Sequence, residues 1–383
     1  MNVSSGYDSD IFGGLSDEIL REGYAYVGVS AQAVGVNFLR NTWETGPDAR
    51  YASLVHPGDS YSYDIFSQAA QAIVDPSSGG PAPLGDLTSH ITALVAQGAS
   101  QSGARLITYA NAVHPDADSY SGFLILLTNN GSALSQNPLP PVPVPTGANS
   151  KIRTDSDTPV LHINSETEFT AGARGIHSQP DAGRFHLWEI AGATHATKPG
   201  IEGTNAKREK SGLPVGLPPC GSPGINDMDV AVVVKAGLHA LWQWSETGQA
   251  PTSADRAELS IPETGAATIV RDPATGIAKG GIRVPDVDVP IRTLWGVLPP
   301  GGAPFCFLFG AVDPWNGDSD VHDGNPSLDL SPTPEPSLSV LYEKESKYVK
   351  AVKESADGLV DQGFLRPFDA KAIIDRAKTV DIP

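Results

Sequence analysis

Short apolar runs alternate with amphipathic segments along the first two thirds of the chain, and that alternation leaves few folds open. Ile91 to Ala96 is an apolar run ending at Gly98, after which Leu106, Ile107 and Ala110 recur at helical spacing over 104–113. Residues 122–128 and 158–164 read as strands buried on both faces, and 184–190, carrying Phe185, Leu187, Trp188 and Ile190, as another. Upstream, Leu15 to Arg21 predicts a short helix closed by Gly23, Tyr24 to Ser30 a β-rich strand, and Tyr63 to Val74 a helix stopped by Pro76. A helix over 230–244 follows, with Val233, Ala236, Leu238 and Leu241 on its buried side. Parallel neighbours need a crossover and a helix supplies it, so strands alternating with helices predict an α/β fold with a mostly parallel central sheet flanked by helices.

The pattern changes beyond Gly248. Residues 251–340 are rich in Pro, Gly and Asp with short strand-like runs at 267–270 and 289–294, and 337–378 reads as charged amphipathic helix. We expect a core over 1–248 and a loop-rich C-terminal elaboration over 249–383, packed on the core and covering its site. Pro138 to Pro145 is excluded from strand and helix interiors. With 26 basic against 44 acidic residues the net charge is −18, which repels a phosphate backbone and excludes nucleic acid as a partner. No apolar run is long enough to span a membrane, and Met1 to Leu20 lacks the basic and apolar regions of a secretory signal. The two cysteines, Cys220 and Cys306, have no metal-ligand spacing and allow one disulfide at most.

The strongest chemical signal is Gly98-Ala99-Ser100-Gln101-Ser102-Gly103, set between a buried strand and a helix. A serine exposed on so sharp a turn needs small residues two before and two after it, and Gly98 and Ser102 meet that need around Ser100. Ser102 fits formally too, but it lies further from the end of the apolar run. A nucleophilic serine needs a base and an orienting acid, in the order serine, acid, histidine for such a sheet. The strand over 158–164 ends in Ser165-Glu166-Thr167-Glu168, where either glutamate can be the acid, and the next strand ends in Ala191-Gly192-Ala193-Thr194-His195. Of nine histidines, His195 is the best placed as base. Asp318, Asp320 and Asp323 fail the calcium-loop spacing and read as a solvated loop. His56 and Asp59 suit either a site wall or a loop cap, Tyr61 and Tyr63 suit packing, and Asn2 and Asn130 open glycosylation-type triplets.

These residues resemble a family, the α/β-hydrolase domain-containing proteins of the α/β-hydrolase fold. The resemblance rests on Gly23 to Gln32, His56 to Asp59 with Tyr61 to Phe66, Gly98 to Gly103, Glu166 to Glu168 and Ala191 to His195. It continues through Gly280 to Pro285 and Cys306 to Gly310 and so covers nearly the whole chain. It implies Ser100 as nucleophile, His195 as base and Glu168 rather than Glu166 as acid, in a serine esterase acting on a small-molecule ester without cofactor or metal. It also implies an oxyanion hole formed by the backbone NH of Gln101 and of Ser4 or Ser5. Similar chains carry a strand leading into the stretch seen here as Asn2 to Gly6, so the expected core lacks N-terminal strands.

Overall fold

The computed structural model describes residues 10–43, 51–75, 83–134, 151–210, 212, 215–217, 220, 224–297, 306–315 and 336–382. Ser4 and Ser5, Asn2, the proline stretch 138–145 and the cluster Asp318, Asp320 and Asp323 lie outside these residues. Helices α1 (Asp10–Arg21), α2 (Ala33–Trp43) and α3 (Ser62–Val74) precede strand β1 (Val95–Ala99) and helix α4 (Gln101–Thr108), which runs through a π turn into α5 (His114–Ala117). Strands β2 (Gly122–Leu126) and β3 (Val160–Ser165), helix α6 (Glu166–Ala171), strand β4 (Phe185–Ile190) and helices α7 (Lys198–Lys210) and α8 (Ala231–Thr247) follow. The remainder holds the two-residue strands β5 (Leu259–Ser260) and β6 (Thr268–Ile269), helix α9 (Pro285–Asp288), and the hairpin partners β7 (Arg292–Trp295) and β8 (Ala311–Pro314). Helices α10 (Leu338–Tyr342), α11 (Glu345–Gln362) and α12 (Pro367–Ala377) close it.

The central sheet is parallel throughout, in the order β1-β2-β3-β4, with Ala96 opposite Phe123, Phe123 opposite Val160 and Val160 opposite Phe185. Alternation along each strand divides the core into two layers. Leu124, Leu126, Leu161, Ile163, Trp188 and Ile190 face α1, α8 and the C-terminal helices. Phe123, Ile125, Val160, Phe185 and Leu187 face α3 and α4. All four strands point the same way, so Ala99, Leu126, Ser165 and Ile190 end on one edge, where an open α/β sheet places its chemistry.

The α/β architecture matches the periodicity, with differences that have physical causes. Tyr24 to Ser30 forms no strand: Tyr24 and Tyr26 pack inward while Ala25 and Val27 stay exposed, but among the described residues no strand pairs with the segment. Two-residue alternation records which face is buried, and a strand also needs a ladder. The first sheet strand starts at Val95, four residues later than its apolar run, and continues through Gly98 to Ala99. Helix α7 was not legible, because KPGIEGTNAKREK has no apolar stripe; it lies across α1. The C-terminal region packs onto the core closely. Phe364 meets Trp188 edge-on at 5.0 Å, Lys235 of α8 bridges Asp17 (2.9 Å) and Asp369 (3.0 Å), and Ile282 makes a single parallel bridge beside Ile190.

His162 lies fully buried in β3, its Nε2 donating to Thr128 O at 2.8 Å, with Asn164 Oδ1 at 3.1 Å. Burial pushes its imidazole down from 6.5 to about 4. The folded state therefore holds His162 neutral while the unfolded chain protonates it, so stability is complete above pH 6.5 and falls as pH drops towards 4. The loss from this group is about 3 kcal/mol. Urea denaturation of the native chain and His162→Gln at pH 7 and pH 4.5 will show the variant losing less stability over that interval; equal losses would contradict the assignment.

Candidate active site

The turn after β1 is tight enough to dictate its residues. Ser100 has φ 55° and ψ −120°, a region that costs a non-glycine residue of order 1–3 kcal/mol. It is held by its NH donating to Leu126 O at 3.0 Å and by its carbonyl accepting the Ala104 NH at 2.9 Å. A Cβ at Gly98 would lie 2.8 Å from the Ser102 carbonyl oxygen, and one at Gly103 2.8 Å from the Leu126 carbonyl oxygen. Only hydrogen at both places lets α4 leave the strand so steeply. The Gln101 NH opens α4, among the donors that a helix leaves without an internal acceptor.

The two serines of the turn have different surroundings. Ser102 is fully buried, and its Oγ accepts a hydrogen bond from Gln32 Nε2 at 3.3 Å. Ser100 Oγ lies 3.1 Å from His195 Nε2. Buried Arg105 on α4 pairs with Asp59 at 3.4 Å, whose other oxygen accepts the Ala33 NH at 2.7 Å. His56 Nδ1 accepts the Gly58 NH, leaving Nε2 to donate to Ala31 O at 3.0 Å. His56 and Asp59 thus pin the segment beside the turn.

Helical phase separates the glutamates. Ser165 ends β3 and precedes α6, so Glu166 and Glu168 are its first and third residues and point about 200° apart. Glu168 Oε2 turns back to accept the Ser165 NH (3.1 Å) and hydroxyl (2.6 Å), as a third-position glutamate does at a helix start. Its Oε1 lies 2.7 Å from His195 Nδ1. Glu166, fully buried, accepts the NH of Gly192 at 2.7 Å and of Gly296 at 3.0 Å and pairs with Arg271 at 2.7 Å. It joins the histidine loop to the strand β7 end and does not reach His195.

The backbone of His195 is held from both sides. Its NH donates to Thr167 Oγ1 at 3.0 Å, and that hydroxyl donates to Gly296 O at 2.8 Å. The neighbouring Thr194 hydroxyl and Ala196 NH both donate to Leu308 O, at 2.9 and 2.8 Å. Buried Asn226 donates its side-chain amide to Gly192 O at 2.8 Å. Cys220 and Cys306 form a disulfide with Cα atoms 5.4 Å apart, and Cys306 shares its helical turn with Leu308. Thr167, Asn226, Arg271 and Leu308 were missed as contributors, since each meets a partner that only the fold brings near: the Thr167 hydroxyl and Asn226 amide meet backbone groups of the histidine loop, the Arg271 guanidinium meets Glu166, and Leu308 acts through its own carbonyl. The small residues around Thr194 were the one trace of a closely packed loop.

Ser100, His195 and Glu168 thus come within hydrogen-bonding reach in a line, with Glu168 buried and the His195 side chain 16% exposed. Such a relay can carry a proton from a hydroxyl to an imidazole whose far nitrogen faces a carboxylate. Among the described residues, one further cluster has metal-type donors: Glu18, Glu22 and His239. Arg366 pairs with both glutamates at 2.7 Å and Arg21 also binds Glu18, so these carboxylates already have cationic partners.

Glu166→Gln leaves Arg271 without its buried counter-charge, and we expect a loss of about 3 kcal/mol in urea unfolding. A variant as stable as the native chain would mean that the pair contributes nothing to holding the histidine loop.

No curated protein and no solved structure matches the chain significantly. The family model for the alpha/beta hydrolase domain matches residues 1–375, almost the full length. A parallel sheet with a strained serine turn at its carboxyl edge agrees with that match, and the chain belongs to the alpha/beta hydrolase domain family.

Proposed function

We propose that the protein is a serine hydrolase that cleaves carboxylic esters through an acyl-enzyme. The observation that carries this is the unbroken line from Ser100 Oγ to His195 Nε2 at 3.1 Å and from His195 Nδ1 to Glu168 at 2.7 Å. With the proton on Nδ1 donated to Glu168, Nε2 is free to accept the serine proton as Oγ attacks the ester carbonyl. The imidazolium formed is stabilised by the buried carboxylate and returns the proton to the leaving alcohol. Water then attacks the acyl-serine, His195 takes its proton, and the acid is released as Ser100 recovers its hydrogen. Charge on the carbonyl oxygen is met by the Gln101 NH at the start of α4. The Ser100 backbone is pre-set in its strained conformation, so the hydroxyl needs no rearrangement before attack.

The roles are separable by substitution. Turnover of short p-nitrophenyl esters, measured at equal concentration with folding checked by circular dichroism, should fall at least about 10³-fold in Ser100→Ala and in His195→Ala. Glu168→Gln should fall by about 10²–10⁴-fold, through loss of the charge that orients the imidazole. Unchanged turnover in Ser100→Ala, or a folded native chain without turnover, would overturn the assignment.

A further inference from the structure

We propose that the Cys220–Cys306 disulfide positions the base, so that its reduction slows ester turnover without weakening substrate binding. The inference rests on His195 acting as the base. The bridge joins two points 86 residues apart. Cys306 is buried and begins the single helical turn Cys306–Leu308. The carbonyl at the end of that turn, Leu308 O, accepts the Thr194 hydroxyl at 2.9 Å and the Ala196 NH at 2.8 Å, one contact on each side of His195. The turn is closed by the Phe309 NH on Cys306 O at 3.0 Å, and Phe309 O accepts the Asn226 NH at 3.1 Å. Asn226 in turn donates its side-chain amide to Gly192 O at 2.8 Å and its carbonyl accepts the Lys198 NH at 2.8 Å, spanning the histidine loop from start to end. The disulfide thus ties Cys220, six residues before Asn226, to the turn that bears Leu308. Without it, the start of the turn is no longer tied to the segment before Asn226, and its end is held by the Asn226–Phe309 bond and the β7–β8 pairing that begins at Ala311.

Reduction by a dithiol transfers two electrons and two protons: the S–S bond breaks, Cys220 and Cys306 become thiols, and the reductant closes to its cyclic disulfide. Misplacing a reacting group by a fraction of an ångström slows chemistry more than binding. The test uses the full chain, native and treated with dithiothreitol, and the Cys220→Ser, Cys306→Ser double variant, each checked by circular dichroism. We expect kcat for p-nitrophenyl acetate to fall about tenfold with KM changed less than about twofold, and reoxidation to restore the native chain. Amide hydrogen exchange in the peptide containing 191–198 should quicken by about tenfold while β2 and β3 keep their protection. This second readout needs no catalysis, so a chain without Ser100-dependent turnover would sink the hydrolase assignment while the exchange data still judge the bridge. Unchanged kcat with unchanged exchange, a rise in KM instead of a fall in kcat, or loss of the whole fold on reduction would each overturn the proposal.

Discussion

A carboxylate taken fully out of water must be neutralised and hydrogen-bonded where it stands, and Glu166 meets that requirement with groups from three distant parts of the chain. Its partners are the Gly192 NH in the histidine loop, the Gly296 NH after β7 and the Arg271 guanidinium, itself packed over the Trp295 ring at 4.0 Å. The first residue of α6 thereby draws the region beyond 248 against the end of β4. Glu168, two residues on, is carried to the opposite side of the helix and meets His195. One short helix start both assembles the edge of the sheet and presents a carboxylate at it.

The consequence is that the segments after 248 are part of the frame around the histidine loop. Gly296 and Leu308 supply carbonyls to Thr167 and Thr194, and Ile282 extends the sheet beside β4 by one bridge. Further from the edge, Arg366 and Lys235 tie α12 and its lead-in to α1 and α8 through Glu18, Glu22, Asp17 and Asp369. These contacts buttress the layer under Trp188 and Ile190, and so the strand from which the histidine loop departs.

Much of the fold was legible because β2, β3 and β4 are buried on both faces, and such strands leave an apolar signature that neither neighbours nor loops disguise. Tyr24 to Ser30 shows the limit: its alternation is present in space, but pairing depends on what lies beside it. At the site, the residue types at the strand ends could be read from the chain, and the structure brings Ser100, Glu168 and His195 into reach of one another. The choice between Glu166 and Glu168 depends on where α6 starts, which two glutamates separated by one residue do not reveal. Arg271 and Asn226 were illegible because their partners, Glu166 and the Gly192 carbonyl, are far away in the chain, and Leu308 because a backbone carbonyl carries no residue signature.

The proposed chemistry requires Ser100 to be the activated nucleophile. The most direct measurement is to treat the folded chain with a fluorophosphonate and map the adduct by peptide mass spectrometry. We expect one phosphonylated residue, Ser100, with labelling abolished in Ser100→Ala and strongly slowed in His195→Ala while buried Ser102 stays unmodified. A folded chain that takes no label, or takes it at another serine, would contradict it.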